Sequence, residues 1–164
     1  MKYYIFRHAQ TYFSKHDRNY GDQNETAEIL PEAIPVTEKL AEYLNSKDID
    51  KYFTSPFKRA LQTAEIIEKV TGKKFTVDPR IGEENITYGK EKFEDLILRL
   101  NDLLVDFKNK NLKSIAICSH GWPIAALVAL ITKGKVERMD LDNYPTPGVL
   151  LEIDGKNTKE INFN

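Results

Sequence analysis

The chain has 164 residues, of which 41% are hydrophobic and 30% charged, the composition of a globular protein long enough to bury a core. Its 24 Lys and Arg residues balance 25 Asp and Glu, which argues against a nucleic-acid-binding protein, because such proteins usually carry a basic excess. No apolar stretch approaches transmembrane length, and the single cysteine, Cys118, allows neither an intramolecular disulfide nor a Cys/His zinc site. We therefore expect one domain over residues 1–164, located in the cytoplasm, with no nucleic-acid or membrane partner.

The first half of the chain alternates short apolar runs with helical patterns. Residues 2–6 are aromatic and β-branched and predict a buried strand, whereas the polar residues 12–29 predict a loop. Apolar residues at helical spacing predict a helix over 36–44, whose start Pro35 interrupts, and a second strand follows at 50–54.

Ser55 and Pro56 predict the start of the next helix, with Ser55 as the N-cap and Pro56 in the first turn. Gly72 is placed to end this helix. Four residues are predicted to form its buried face: Ala60, Leu61, Ala64 and Ile67.

The second half continues the alternation. Helices are predicted from Phe93 to Phe107, where the amphipathic pattern is clearest, and from about Pro123 to Thr132. The other predicted strands cover residues 74–77, 113–118, 148–153 and 158–163, with a hairpin signal at Asp154-Gly155 between the last two. The pattern predicts an α/β fold, a three-layer α/β/α sandwich whose central sheet is mostly parallel with an antiparallel C-terminal strand.

Basic side chains collect where three predicted strands end. Arg7 and His8 follow the first strand, Arg59 lies one turn into the helix after the second, and His120 follows the fourth. Each of them alone is more often a structural or surface residue. If the strands are parallel neighbours, however, two guanidiniums and two imidazoles meet at one sheet edge beside helix N-termini, an arrangement that favours a bound anion.

Three motifs in this order resemble those of the histidine phosphatase superfamily, which has the phosphoglycerate mutase-like fold. They are RHAQT at residues 7–11, SPFKRALQTA at 55–64 and SHG at 119–121. The resemblance extends over nearly the whole chain and implies a small phosphatase that hydrolyses phosphomonoesters without a metal or cofactor.

The resemblance also implies residue roles. His8 is expected to be the nucleophile that forms a covalent phosphohistidine, with Arg7, Arg59 and His120 holding the phosphoryl oxygens. Glu83 fits the position of the general acid and base best. Glu84 is the alternative, because the glycine that usually follows the acid is displaced here to Gly89.

Two positions depart from the family pattern. Ala9 stands where glycine is common, and Ser14 stands where many members have a phosphate-binding asparagine, so Ser14 is a candidate substrate-binding residue. Tyr12, Phe13 and Tyr20 follow closely and are candidates for an apolar wall over the substrate.

The substrate class and reaction outcome remain open to three interpretations. Only a few residues separate Glu83 from the helix beginning near Lys92, a shorter lid than mutases carry, which favours hydrolysis over phosphoryl return. The leading interpretation is a phosphatase of small phosphorylated substrates. The alternatives are a phosphohistidine protein phosphatase and a non-catalytic phosphate-binding module. The sequence does not specify the oligomeric state.

Overall fold

A six-stranded sheet forms the centre of the protein, which the computed structural model describes from Met1 to Asn164. Its strands are β1 (Lys2–Arg7), β2 (Lys51–Thr54), β3 (Phe75–Val77), β4 (Ser114–Ser119), β5 (Val149–Asp154) and β6 (Asn157–Asn162). They lie in the order β3-β2-β4-β1-β5-β6. The first four strands in this order are mutually parallel, and β5 and β6 are antiparallel additions at one edge.

Helices cover both faces of the sheet. They are α1 (Tyr12–Lys15), α2 (Ile34–Asn45), α3 (Lys58–Thr71), α4 (Phe93–Asn109) and α5 (Gly121–Lys133). Because successive side chains of a strand point to opposite faces, Tyr3 and Ile5 pack with α4 and α5, whereas Tyr4 and Phe6 pack with α2 and α3. The predicted three-layer α/β/α fold is confirmed. None of the helices combines the length and apolarity needed to cross a membrane.

The predicted start of α3 was wrong by two residues. The helix begins at Lys58 and its N-cap is Phe57, which makes no side-chain capping bond, so Ser55 does not cap it. The hydroxyl of Ser55 instead bonds to His120, described below. Leu61, predicted to be buried, is 39% exposed, because the inner face of this helix is completed by Arg59 and Thr63.

Local structure also differs from prediction on either side of residue 30. The predicted loop at 12–29 contains the short helix α1, which Thr11 caps, and Thr11 pairs with Ile29 in an isolated bridge. Pro35 does not interrupt α2; it occupies the first turn, where the missing backbone N–H costs nothing.

The strand register aligns the ends that carry the motifs. Arg7 of β1 is paired with Ser119 of β4, and Thr54 of β2 is paired with Cys118. The next residue of β1, His8, donates its backbone N–H to the Ser119 carbonyl at 3.0 Å. The carboxyl ends of three parallel strands therefore meet at one edge of the sheet.

Candidate active site

The two histidines that follow β1 and β4 lie side by side at this edge. The ring centroids of His8 and His120 are 5.2 Å apart. Both side chains are completely buried, as is Arg59, which enters from the first turn of α3. Arg7 stands at the end of β1 beside them. The structure thus brings together the two imidazoles and two guanidiniums that the sequence placed at this edge.

The hydrogen bonds of His8 define its tautomer. Its Nδ1 lies 2.8 Å from the carbonyl oxygen of Ala9, which can only accept, so Nδ1 carries the proton. The opposite nitrogen, Nε2, is buried without a hydrogen-bond partner. Burial, together with the charges of Arg59 and Arg7, lowers the pKa of His8 well below its ordinary value. His8 therefore presents a neutral ring with a free lone pair on Nε2.

His120 is oriented by Ser55, the residue that follows β2. Its Nε2 lies 2.7 Å from the Ser55 hydroxyl, and that same oxygen accepts the backbone N–H of Phe57 at 3.2 Å. The imidazole, the hydroxyl and the Phe57 N–H all have partners when the Ser55 hydroxyl donates its proton to Nε2. Nε2 is then the unprotonated nitrogen of His120, and the ring proton is on Nδ1. This Nδ1 has no hydrogen-bond partner and lies 3.7 Å from a carboxylate oxygen of Glu83. It is a buried donor facing the site.

The guanidinium of Arg59 is held between aromatic rings. Its Cζ lies 4.0 Å from the ring centroid of Tyr20 and 5.3 Å from that of Phe57. Its NH1 group donates to the backbone carbonyl of Asn24, and its NH2 group donates to Asn24 Oδ1 at 3.3 Å. Burial lowers the pKa of Arg59, and its Nε has no hydrogen-bond partner.

Arg7 is held by stacking. Its guanidinium makes no hydrogen bond or ion pair within the protein, and its Cζ lies 5.2 Å from the ring centroid of Tyr144. Tyr144 packs so closely on Gly121, at the start of α5, that a Cβ on that glycine would lie 3.0 Å from the ring. The absence of a side chain at Gly121 therefore allows Tyr144 to stack on Arg7. Stacking on the ring leaves the N–H donors of Arg7 without a hydrogen-bond partner.

The structure distinguishes the two candidate acids. An oxygen of the Glu83 carboxylate lies 3.6 Å from Arg59 NH2 and 3.7 Å from His120 Nδ1. Burial raises the pKa of Glu83, while the charge of Arg59 opposes the shift. The Glu84 carboxylate turns elsewhere and accepts the hydroxyl and backbone N–H of Thr87 at 2.5 and 2.9 Å. Only Glu83 faces the histidines.

The polar atoms that lack partners concentrate at this site. Five buried side-chain atoms of the whole protein have no hydrogen-bond partner, namely Arg7 Nε, His8 Nε2, Arg59 Nε, His120 Nδ1 and Tyr52 Oη. Four of the five belong to the predicted site. Such atoms are rare in folded proteins, because leaving a buried polar group unpaired is costly. Three of the four are N–H donors, which match the oxygens of an anion.

Ser14 has a different environment from the one predicted. Its hydroxyl accepts the backbone N–H of Thr11 at 2.9 Å, and its own N–H is bonded to the Thr11 hydroxyl. The serine thereby completes the capping box of α1. No hydrogen bond joins it to the arginines or histidines of the site, and its part in substrate binding stays a prediction.

A segment of the predicted loop covers the site. Residues 19–25 place Tyr20 and Asn24 on Arg59, and Asn19 Oδ1 accepts the Tyr88 hydroxyl at 2.7 Å across the top. The ring of Tyr20 lies 6.4 Å from His8, so this tyrosine belongs to the wall expected from the sequence. The lid was expected from residues 83–92, and the contributions of Asn19 and Asn24 were not predicted.

Thr63, whose role no sequence pattern indicated, joins two of the motifs. Its hydroxyl accepts the backbone N–H of Ala9 at 2.8 Å and donates to the Arg59 carbonyl at 2.7 Å. The backbone beside His8 is thus tied to the helix that carries Arg59. The methyl group of Ala9, which replaces the usual glycine, is accommodated in a buried position.

Stability should depend on pH through the two buried histidines. The unfolded chain takes up protons on them near pH 6.5, whereas the folded chain keeps them neutral, so the free energy of unfolding should fall as the pH drops below about 6.5. Each histidine contributes a slope of up to about 1.4 kcal/mol per pH unit. Glu83 acts in the opposite sense, because its pKa is raised in the folded protein. Its contribution to the free energy of unfolding is present at low pH and is lost as the pH rises through the pKa that Glu83 has in the folded protein.

Urea unfolding of the wild type and of His8→Gln between about pH 7.5 and 5.5 measures this effect. The variant should show the shallower dependence. Equal slopes in the two proteins would contradict the assignment of a buried neutral His8.

Comparison with known proteins identifies the family to which the chain belongs. The family model described as histidine phosphatase superfamily (branch 1) matches residues 3–90, more than half of the chain. A Hydrogenobacter thermophilus protein provisionally named phosphoserine phosphatase 2 is 23% identical over 161 aligned positions, covering 79% of this chain and 77% of that protein.

Solved structures share the fold. A mycobacterial glucosyl-3-phosphoglycerate phosphatase in complex with VO3 aligns with a TM-score of 0.78 and 18% identity, covering 98% of this chain and 96% of that chain. The protein histidine phosphatase SixA in complex with tungstate aligns with a TM-score of 0.71 and 17% identity, covering 98% and 94%. From the family match and the shared fold, we conclude that the chain belongs to the histidine phosphatase superfamily, branch 1.

Proposed function

We propose that the protein is a phosphatase that hydrolyses small phosphomonoesters through a covalent phosphohistidine on His8. The observation that carries this proposal is the unpartnered Nε2 of a neutral, buried His8 in the midst of two arginines and a second histidine. A neutral imidazole with a free lone pair is a competent nucleophile, and the surrounding cations suit a phosphoryl group.

In the first step, Nε2 of His8 attacks phosphorus while the ester P–O bond breaks. The Nδ1–H bond to the Ala9 carbonyl supports the positive charge that develops on the ring. Arg7, Arg59 and the Nδ1–H of His120 would bind the phosphoryl oxygens, over which the charge is spread in the transition state. Their donors are unpartnered or held by Asn24, so a substrate would displace that residue from Arg59.

Glu83 is proposed to supply the proton that the leaving oxygen needs. Its raised pKa favours the protonated form before the first step, and it lies beside both His120 and Arg59. In the second step the resulting carboxylate takes a proton from water as the water oxygen attacks phosphorus. The P–N bond breaks, inorganic phosphate leaves and Glu83 is protonated again.

This route uses side chains alone. No group of three or more His, Cys, Asp or Glu residues in the structure is placed to hold a metal ion. Metal independence is part of the proposal, and all assays described below therefore contain EDTA.

The phosphohistidine protein phosphatase remains the second candidate, since SixA shares the fold. Phosphohistidine has a better leaving group than an alkyl ester and needs less help from an acid. The burial of Glu83 against His120 and Arg59 favours the ester substrate, because an idle carboxyl group would be costly to bury there.

Glu83→Gln should lower kcat/KM for an alkyl phosphate by roughly 10²–10⁴-fold, the usual contribution of general acid–base catalysis. The loss of kcat/KM should be much smaller for p-nitrophenyl phosphate, whose leaving group needs little protonation, whereas kcat should fall for both substrates because both pass through the hydrolysis of phosphohistidine. The alkaline limb of the pH–rate profile should also disappear, because it reports loss of the proton from Glu83. Steady-state kinetics with both substrates measures these effects.

Glu84→Gln is the matched control, since its carboxyl group is bonded to Thr87 and turned from the histidines. It should keep the wild-type rates. Full activity of Glu83→Gln on alkyl phosphates, or loss confined to Glu84→Gln, would refute the assigned acid. Activity of wild type on a phosphohistidine protein alone would favour the second candidate.

A further inference from the structure

The backbone around Glu83 is held by hydrogen bonds from an arginine of α4. Arg99 donates from NH1 to the carbonyls of Arg80 and Gly82, the latter at 3.1 Å, and from NH2 to the carbonyl of Glu83 at 3.3 Å. Three carbonyls within four residues thus share one guanidinium. The planar fork of arginine suits this task, because its donors are fixed relative to one another.

A second side chain holds both this arginine and the far side of the segment. Arg99 donates from Nε to Glu91 Oε1 at 2.6 Å and from NH2 to Glu91 Oε2 at 3.2 Å. The same Oε2 accepts the backbone N–H of Asn85 at 3.0 Å. The side chains of Arg99 and Glu91 are only 20% and 11% exposed, so their interaction is weakly screened by solvent. We call them the Arg99–Glu91 pair.

The opposite side of the segment is fixed by the sheet. The hydroxyl of Ser119, at the end of β4, donates to the carbonyl of Ile81 at 2.7 Å. Residues 82–85 form no helix or strand, so these side-chain bonds take the place of regular backbone pairing. The direction of the Glu83 side chain consequently depends on them.

We propose that the Arg99–Glu91 pair is a positioning device that directs the carboxyl group of Glu83 to the leaving-group oxygen. The inference rests on the proposed function, because it assigns a role to residues behind the proposed acid. Neither member of the pair contacts the reacting atoms. Its contribution is to hold the backbone on both sides of Glu83, where small displacements strongly affect proton transfer.

A neighbouring arginine provides the contrast. Arg80 pairs with Asp78 at 2.8 Å and with Asp106 at 2.7 Å. Its side chain donates to these carboxylates and to no carbonyl near Glu83. Removing it would loosen the same region without releasing the backbone of the acid.

The test compares Arg99→Met, Glu91→Gln and the control Arg80→Met, alone and in combination with Glu83→Gln, in EDTA. Arg99→Met should lower kcat/KM for an alkyl phosphate by roughly 10- to 100-fold, with little change in kcat/KM for p-nitrophenyl phosphate. Glu91→Gln keeps the acceptor for Asn85 and should show the same pattern more weakly. In the Glu83→Gln background, Arg99→Met should cost nothing further, because the group it positions is absent.

Each outcome bears on the inference. Wild-type kinetics in both Arg99→Met and Glu91→Gln would overturn it while leaving the role of Glu83 intact. An equal, substrate-independent loss, additive with Glu83→Gln, would show a structural role only. The same leaving-group-dependent loss in Arg80→Met would refute the specific role of the pair. Full activity of Glu83→Gln itself would overturn both this inference and the proposed acid.

Discussion

Replacing His8 with alanine is expected to lower the rate of phosphomonoester hydrolysis by at least about 10⁴-fold, because the variant lacks the atom that attacks phosphorus. The wild type, mixed with radiolabelled substrate and quenched in alkali, should retain phosphate as an acid-labile phosphoramidate. His8→Ala should retain none. Both measurements are made with EDTA present, so that the same experiment examines whether a metal is needed.

His16→Ala is the matched control for this experiment. His16 ends α1 and is exposed, and the ring lies 4.5 Å from that of Tyr12. Its removal should leave the rate and the labelling unchanged. An active His8→Ala enzyme, or label that survives acid and is released by alkali, would exclude the phosphohistidine route. Wild-type binding of phosphate without turnover would instead favour the non-catalytic module.

Arg59→Met is expected to lower the activity of the enzyme strongly without lowering its thermal stability. Loss of the guanidinium should lower kcat/KM by about 10³-fold or more, in the range known for arginines that stabilise phosphoryl transfer. The Tm should nevertheless not fall. Arg59 is completely buried and bonds to neutral oxygens of Asn24, and the nearest carboxylate oxygen, on Glu83, is 3.6 Å away, so no close counter-ion balances its charge without substrate. Replacing such a charge with an apolar side chain of similar size is often neutral or stabilising.

Lys58→Met removes the adjacent cation, which is half exposed and pairs with Glu28, and should leave kcat/KM unchanged. Thermal unfolding and steady-state kinetics on the two variants provide the comparison. A marked fall in the Tm of Arg59→Met would show that the arginine stabilises the fold. Retained activity would remove it from the phosphoryl site.

The parts of the site that follow strands could be predicted from the sequence. Arg7, His8 and His120 end apolar runs, and parallel pairing necessarily brings such ends together. Arg59 follows because a helix begins shortly after β2, at Lys58. These positions depend on periodicity and topology, both of which the residues themselves encode.

The remaining parts depend on contacts that periodicity does not reveal. Tyr144 and Arg99 lie far along the chain from the residues they hold, and no local pattern marks either of them. Glu83 and Glu84 are neighbours in an irregular segment, so no periodicity indicates which of them faces the histidines. Ser55 was predicted to be an N-cap because its hydroxyl suits that role. In the fold, that hydroxyl is hydrogen-bonded to His120 instead.

The bonds between Asn24 and Arg59 have a consequence for affinity. The two amide oxygens act as an intramolecular ligand that competes with phosphate for one guanidinium. A substrate that binds through these two donors of Arg59 must displace Asn24, so its observed dissociation constant equals the intrinsic one divided by the fraction of molecules in which Asn24 has withdrawn. If one molecule in about ten has Asn24 withdrawn, binding is weaker by about tenfold. A substrate whose other groups bind the segment that carries Asn24 in its withdrawn position regains this affinity. Selectivity can thus arise from an equilibrium that exists before any substrate arrives.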